Sequence, residues 1–215
     1  MSQNTPNITY RDDGVILVRN VRLSYPHLFH PWSQNEFDDN GRPVKKRFSA
    51  SLILPVSSHR VDIIGLKKYI EQMAMTSFKQ KLSPERYCLR DGSLNGKEEY
   101  AKSWYISASQ TADRRVNVVD RDPKRPVTEE SNRIYAGCWV NALVRPWAQN
   151  NQTGGKRVNM NLLTVQFVKD DDAFGDGAGP APEDAMDNIS DDFPDEANGE
   201  DLSDSAFAEE PELEL

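Results

Sequence analysis

Basic and aromatic side chains are interleaved through the first 169 residues of this 215-residue chain. Arg22 precedes Tyr25, His27, Phe29 and Trp32, and Lys45, Lys46 and Arg47 lead into Phe48. Tyr105 is followed by Arg114 and Arg115, while Trp139, Arg145 and Trp147 share a segment with Lys156 and Arg157 close behind. Cations can track phosphates, and exposed flat rings can receive unpaired bases, so these residue types in this mixture suit a single-stranded nucleic acid. Aromatic rings also fill cores. Trp104 and Phe48 share their alternating faces with aliphatic residues and are expected inside. Trp32, Tyr105 and Trp147 fall in loops or on polar faces and are candidate stacking platforms, with Trp139 a further candidate.

Covalent chemistry finds little support. Gly154-Gly155-Lys156-Arg157 lacks the upstream glycine of a phosphate-binding loop, and no Gly-x-Ser-x-Gly elbow occurs. His27 and His30 have a zinc-like spacing, but the nearest cysteine in sequence is Cys88, and a closed zinc site needs four paired ligands. Acids before residue 170 are scattered among loops, unlike the clustered carboxylates of a two-metal nuclease. No catalytic residue, metal or cofactor is assigned, and the chain is expected not to be an enzyme. Cys88 and Cys138 sit in unrelated contexts, which favours reduced thiols.

Charge is divided sharply along the chain. Residues 170–215 contain 18 Asp and Glu and no Lys, Arg or His. The remainder holds all 26 basic residues against 16 acids, a net charge of +10. A basic body seeks a polyanion, and a tethered polyanion can occupy the same surface when that partner is absent; the plainer role of such a tail is solubility. Glycines and prolines separate the acids, and apolar surface is too sparse to offset the cost of ordering, so the tail is expected to be disordered. Its isolated apolar residues, Phe193, Phe207, Leu213 and Leu215 among them, suit short docking motifs for a protein partner.

The elements that must carry the candidate residues follow from periodicity. Val15–Tyr25 reads as a strand with Leu17, Val21 and Leu23 on its inner side, followed by a proline-pinned, ring-rich loop through Trp32. Lys45–Pro55 is a second strand with Phe48, Ala50, Leu52 and Leu54 inward. A helix capped by Ser57 or Ser58 is expected to reach about Leu82, burying Ile63, Leu66, Ile70, Met73 or Ala74, and Phe78. Residues 83–102 read as irregular. Further strands are expected at Ser103–Gln110, Arg115–Val119, Ile134–Arg145 and Arg157–Val168, the last two forming a hairpin. Mostly β structure with one central helix fits a small barrel. No apolar run approaches a membrane span, and the first residues lack a signal-peptide pattern.

Several stretches together resemble a tailed-phage family of single-stranded DNA-binding proteins. They are Arg22-Leu23-Ser24-Tyr25-Pro26-His27-Leu28-Phe29, Lys46 to Pro55, Trp104 to Ser109, Tyr135-Ala136-Gly137-Cys138-Trp139-Val140-Asn141-Ala142, and Asn159 to Asp170. The resemblance implies an OB-fold, coating of single strands without sequence preference, and a role in phage replication, recombination and repair in the cytoplasm of an infected bacterium. It also implies that the acidic tail recruits replication proteins such as polymerase and helicase. This chain ends on Leu215 where related proteins often end on an aromatic residue. The domains expected are an OB-fold body over 1–169 and a disordered tail over 170–215, with self-association left open. Rival readings are a strand-annealing recombination protein, a protein-interaction module that ignores DNA, and a non-specific RNA binder.

Overall fold

The computed structural model describes residues 6–37, 41–152 and 154–175. Contacts divide the chain into two units, Met1–Ala178 and Gly179–Leu215, and every described residue falls in the first. The elements in order are β1 (Ile8–Tyr10), β2 (Ile16–Trp32), β3 (Arg47–Pro55), α1 (Val56–Phe78), β4 (Leu89–Asp91), β5 (Ser103–Thr111), β6 (Asn117–Val119), β7 (Trp139–Asn151) and β8 (Gly155–Lys169).

Strands β5, β3, β2, β7 and β8 are neighbours in that order, and a parallel pairing of β5 with β8 at Ser109 and Asn161 closes the ring. A closed five-stranded barrel of this kind, with one helix inserted between ring strands β3 and β5, is OB-like and leaves no free edge within the ring. The expected mostly β barrel with one substantial helix is therefore the fold observed. Its interior holds Val18, Leu23, Leu52, Ile106, Val140, Val144, Leu162 and Val165, all essentially inaccessible. Alternation along β3 and β5 puts Phe48, Ala50, Leu52, Leu54, Ile106 and Ala108 inside and leaves Ser49, Ser51, Ser107 and Ser109 on the outer face, while Ile53, between Leu52 and Leu54, is buried as well. Phe48 is buried, as expected; Trp104 is half-buried against the core, with Lys67 over its ring at 5.2 Å.

The helix buries Ile63, Leu66, Ile70, Ala74 and Phe78, the predicted stripe, extended one turn by His59. Its ends differ from expectation. Pro55 is the N-cap and no side chain caps it; the Ser58 hydroxyl instead bonds His59 Nδ1 at 2.8 Å. Nε2 of His59 donates to the Arg19 carbonyl at 2.9 Å, which ties α1 to β2. At the other end Lys79 turns left-handed and stops the helix before Leu82.

β2 departs most from its sequence reading. Ile16 and Val18 face inward and Leu17 is only half-buried, because an extra residue between Val18 and Val21 interrupts the register with β7 and flips the alternation. The strand then runs through Pro26 and Pro31, where a loop was expected. Its pairing with β3 is irregular on both sides of His27, and these ladder breaks accommodate residues that lack an N–H. β7 begins at Trp139, after a turn at Gly137, and not at Ile134.

Candidate nucleic-acid interface

The outer surface of the barrel carries a polar band built from small side chains. Ser49 pairs with Ser109 across β3 and β5, and Ser109 pairs with Asn161 across β5 and β8. Asn161 in turn stands opposite Arg145, and Asn159 opposite Trp147, on β7. Two residues along, Ser51 pairs with Ser107. Because successive strand residues face opposite sides, these partners share one outer face. Serines at four adjacent positions leave volume above the sheet and keep hydroxyls on its floor.

That volume is a groove of about 340 Å³ lined by Tyr25, Ser49, Ser51, Ser107, Ser109, Asn159, Tyr87, Arg90 and Arg157. Tyr25 forms one wall, 46% exposed, in a left-handed backbone conformation at an irregular stretch of β2. The Lys97 ammonium lies 4.8 Å from the Tyr25 ring centroid, at the hydroxyl end of the ring, and donates to that hydroxyl; the bond raises the lysine pKa above its ordinary value. Arg47 donates from Nε to the Ser109 hydroxyl at 3.1 Å, which places its charge at one end of the serine floor. Beside it Trp32, 48% exposed, stacks on His27 with centroids 4.3 Å apart and an interplanar angle of 9°. Partial burial lowers the His27 pKa, favouring the neutral ring. Cys88 also lines this groove, but burial pushes its thiol up to about 12, so it offers no thiolate at neutral pH.

The other predicted residues are distributed unequally. Trp147, 36% exposed, and Arg145 continue the band onto β7, with Arg145 3.5 Å from Asp13. Tyr105 lies on the outer face of β5 but sets its ring edge-on to buried Tyr100 at 4.9 Å. Lys45 and Lys46 are exposed on the approach to β3. Phe29 and Arg115 line a different groove with Phe48, Pro123, Lys124 and Pro126, while Arg114 is exposed on the turn before it. Lys156 reaches Gln80 past the end of α1, at 3.2 Å.

Arg22 and Trp139 are covered by the chain's own residues. Asp171 accepts from Trp139 Nε1 at 2.5 Å and lies 3.7 Å from Arg22 Nη1. Arg22 donates to the carbonyls of Gly137 and Asp172 at 2.8 and 2.5 Å, and its guanidinium lies 4.3 Å from the Phe174 ring centroid. Tyr135 closes the clasp, its hydroxyl receiving from the Asp171 N–H at 3.0 Å and donating to the Asp171 carbonyl at 2.9 Å. The indole N–H of Trp139, foremost, holds the Asp171 carboxyl below the usual carboxylate range. Of the acidic segment, Asp170 to Gly175 are thus described; Phe193, Phe207, Leu213 and Leu215 lie outside the described residues.

Sequence reasoning missed Arg86, Tyr87, Arg90 and Lys97, all in the stretch read as irregular, and missed the serine floor. The signal was present: the polar faces of both alternating strands carry serine at Ser49, Ser51, Ser107 and Ser109. His27 and His30 do not come together as ligands, since His27 stacks on Trp32 while His30 contacts Glu129 at 2.8 Å. Among the described residues no group of three or more His, Cys, Asp or Glu is arranged for a metal, and no helix is long and apolar enough to cross a membrane.

A family model described as the single-stranded DNA-binding protein of Enterobacter phage Enc34 matches residues 14–198. The chain belongs to this phage family. Its sequence is 35% identical over 186 residues to protein p50 of Acyrthosiphon pisum secondary endosymbiont phage 1, covering 81% of this chain and 94% of that protein. The fold matches the bacteriophage Enc34 protein solved in complex with single-stranded DNA, with a TM-score of 0.68 and 32% identity over 81% of this chain and 97% of that one. A second structure of the Enc34 protein gives the same TM-score of 0.68, with 29% identity over 89% of this chain and 97% of that one. The segment matched by the family model therefore takes in the whole barrel, the clasp and part of the acidic stretch.

Proposed function

We propose that this protein coats single-stranded DNA without sequence preference during replication and recombination of a phage genome, using the serine-floored face of its barrel. The observation that carries this reading is the band of small polar side chains running from Arg47 to Trp147, walled by Tyr25 and flanked by cations. Bases need flat rings and space; phosphates need positive charge nearby. Both occur on one face, and family membership together with the DNA complex of the Enc34 relative favours the same ligand here. The acidic tail, with its 18 carboxylates, competes for this face when DNA is absent and offers its isolated apolar residues to replication proteins.

Intrinsic tryptophan fluorescence during titration with poly(dT) tests the reading. Expected is salt-sensitive quenching, tighter in a chain ending at Gly175 than in the full chain; no quenching and no retained oligonucleotide in either would sink it. Charge at the Arg47 end is tested separately. Neutralising Lys45, Lys46 and Arg47 together should flatten the dependence of log affinity on log salt by about 0.7 for each phosphate no longer neutralised. An unchanged slope removes that end of the band from the binding path.

A further inference from the structure

At the opposite end of the groove from Arg47, three arginines converge. Arg90 and Arg157 both donate to one carbonyl, that of Glu85, at 3.4 and 3.3 Å. Arg90 is further fixed by a bond from Nε to the Tyr87 carbonyl at 3.2 Å, and Arg86 donates to the Gly154 carbonyl at 2.9 Å. Backbone carbonyls therefore hold the guanidiniums in place without neutralising them. The Glu85 carboxylate receives from the Ser83 hydroxyl and feels the charges of Arg86 and Arg157, but among the described residues none of the three arginines forms an ion pair. Burial first, then the charges of Arg86 and Arg90, lower the Arg157 pKa from its ordinary value. Arg90 and Arg157 are half-buried and Arg86 is exposed, with Glu85 offsetting part of their charge. Three like charges against one carboxylate work against folding, and such an excess is characteristic of a site for an anion.

The geometry points to Arg86, Arg90 and Arg157 as a single-phosphate subsite that fixes one backbone phosphate of the bound strand at this end of the groove. The inference rests on the single-strand reading and deepens it. Arg90 and Arg157 line the groove beside Tyr87, so a phosphate held by them places the neighbouring nucleotide over Asn159 and the serine floor. Guanidinium forks suit phosphate oxygens, and donors already anchored through other N–H groups lose little freedom on binding. One fixed phosphate at one end gives the strand a defined starting point along the band, where scattered surface lysines would let it slide.

Two measurements on the full-length chain test this. The first is binding of a fluorescent oligo(dT) across a range of salt for wild type and for Arg86→Gln/Arg90→Gln/Arg157→Gln. A single shared phosphate predicts that the triple variant loses about 0.7 from the log–log salt slope, with affinity at low salt falling at least about tenfold. Arg157→Lys should retain the slope and lose part of the affinity, since it keeps the charge without the fork. An unchanged slope in the triple variant overturns the subsite; a loss near about 2 also overturns it, by showing three separate contacts. The second measurement needs no DNA. Inorganic phosphate at constant ionic strength should raise the melting temperature of wild type and not of the triple variant, and equal increments would refute an anion site. Loss of repulsion should leave the variant at least as heat-stable as wild type; if it fails to fold, Arg157→Gln alone takes both measurements. Wild type that binds phosphate but no oligonucleotide would instead defeat the single-strand reading and spare the anion site.

Discussion

Trp147→Ala weakens binding of oligo(dT) by about 1–3 kcal/mol, roughly 5- to 150-fold, while Trp139→Ala leaves affinity nearly unchanged and lowers the melting temperature. The two indoles lie on the same strand, and the sequence makes both of them candidates for stacking. Their surroundings separate them. Trp147 stands on the outer face opposite Asn159, more than a third exposed, so its ring can receive a base. Trp139 already commits its N–H to Asp171 and has Lys169 5.1 Å from its ring centroid. Removing Trp139 breaks a tie inside the protein; removing Trp147 opens a gap only when DNA is present. Adding Tyr25→Ala to Trp147→Ala should roughly sum the two losses, because the rings lie on different strands and do not stack on each other in the free protein. Titration calorimetry alongside thermal melts separates the outcomes. A Trp139→Ala chain that melts normally but binds weakly would move the stacking site from the serine face to the clasp.

What could be read in the sequence was whatever periodicity controls. β3 and β5 alternate through their serine-bearing stretches, so Phe48, Leu52 and Ala108 were placed inside correctly, and the helical spacing of Ile63, Leu66, Ile70 and Phe78 marked the buried side of α1. β2 defeated the same method because one inserted residue near Asn20, where φ is +54°, reverses every later face. Alternation cannot show a bulge when both faces carry apolar residues, as with Ile16, Leu17 and Val18. Pro26 and Pro31 read as loop signals for sound reasons, and only the irregular pairing with β3 shows how the strand absorbs them.

The candidate site was legible in kind and less so in place. Counting cations and rings identified the ligand chemistry, yet closeness in sequence says little about which face a side chain joins. Arg22 is the clearest case: its guanidinium meets a carbonyl 150 positions away, a pairing no local pattern encodes. Arg86 and Arg90 were passed over because the stretch around them lacks periodicity, although β4 pairs regularly with β5 and fixes Arg90 opposite Tyr105. Small residues were missed for a different reason. Serine attracts notice as a nucleophile or a cap, and its value here is the space it leaves.

Gly137→Ala is expected to cost about 1–3 kcal/mol from backbone strain alone, with a further loss from collision. Gly137 has φ of +116°, a region L side chains rarely adopt, and an added Cβ would stand 2.3 Å from the Asp172 carbonyl oxygen. The clash exists only while residues 171–174 lie in the clasp, so the two contributions can be separated by a cycle with a chain ending at Lys169. In that shorter chain the substitution should cost only the backbone part, and the difference between the two costs is the energy with which the clasp resists displacement. For a body of this size each kcal/mol corresponds to about 2–4 °C in melting temperature, within reach of ordinary melts. The same cycle has a pH signature. Asp171 has a lowered pKa in the folded protein, so its contribution is complete above the ordinary carboxylate pKa and fades as pH falls through the folded value. The gap between the Gly137→Ala costs in long and short chains should therefore narrow in acid. Equal costs in the two chains at neutral pH would mean that Asp172 leaves Gly137 in solution, freeing Arg22 and Trp139 to meet DNA.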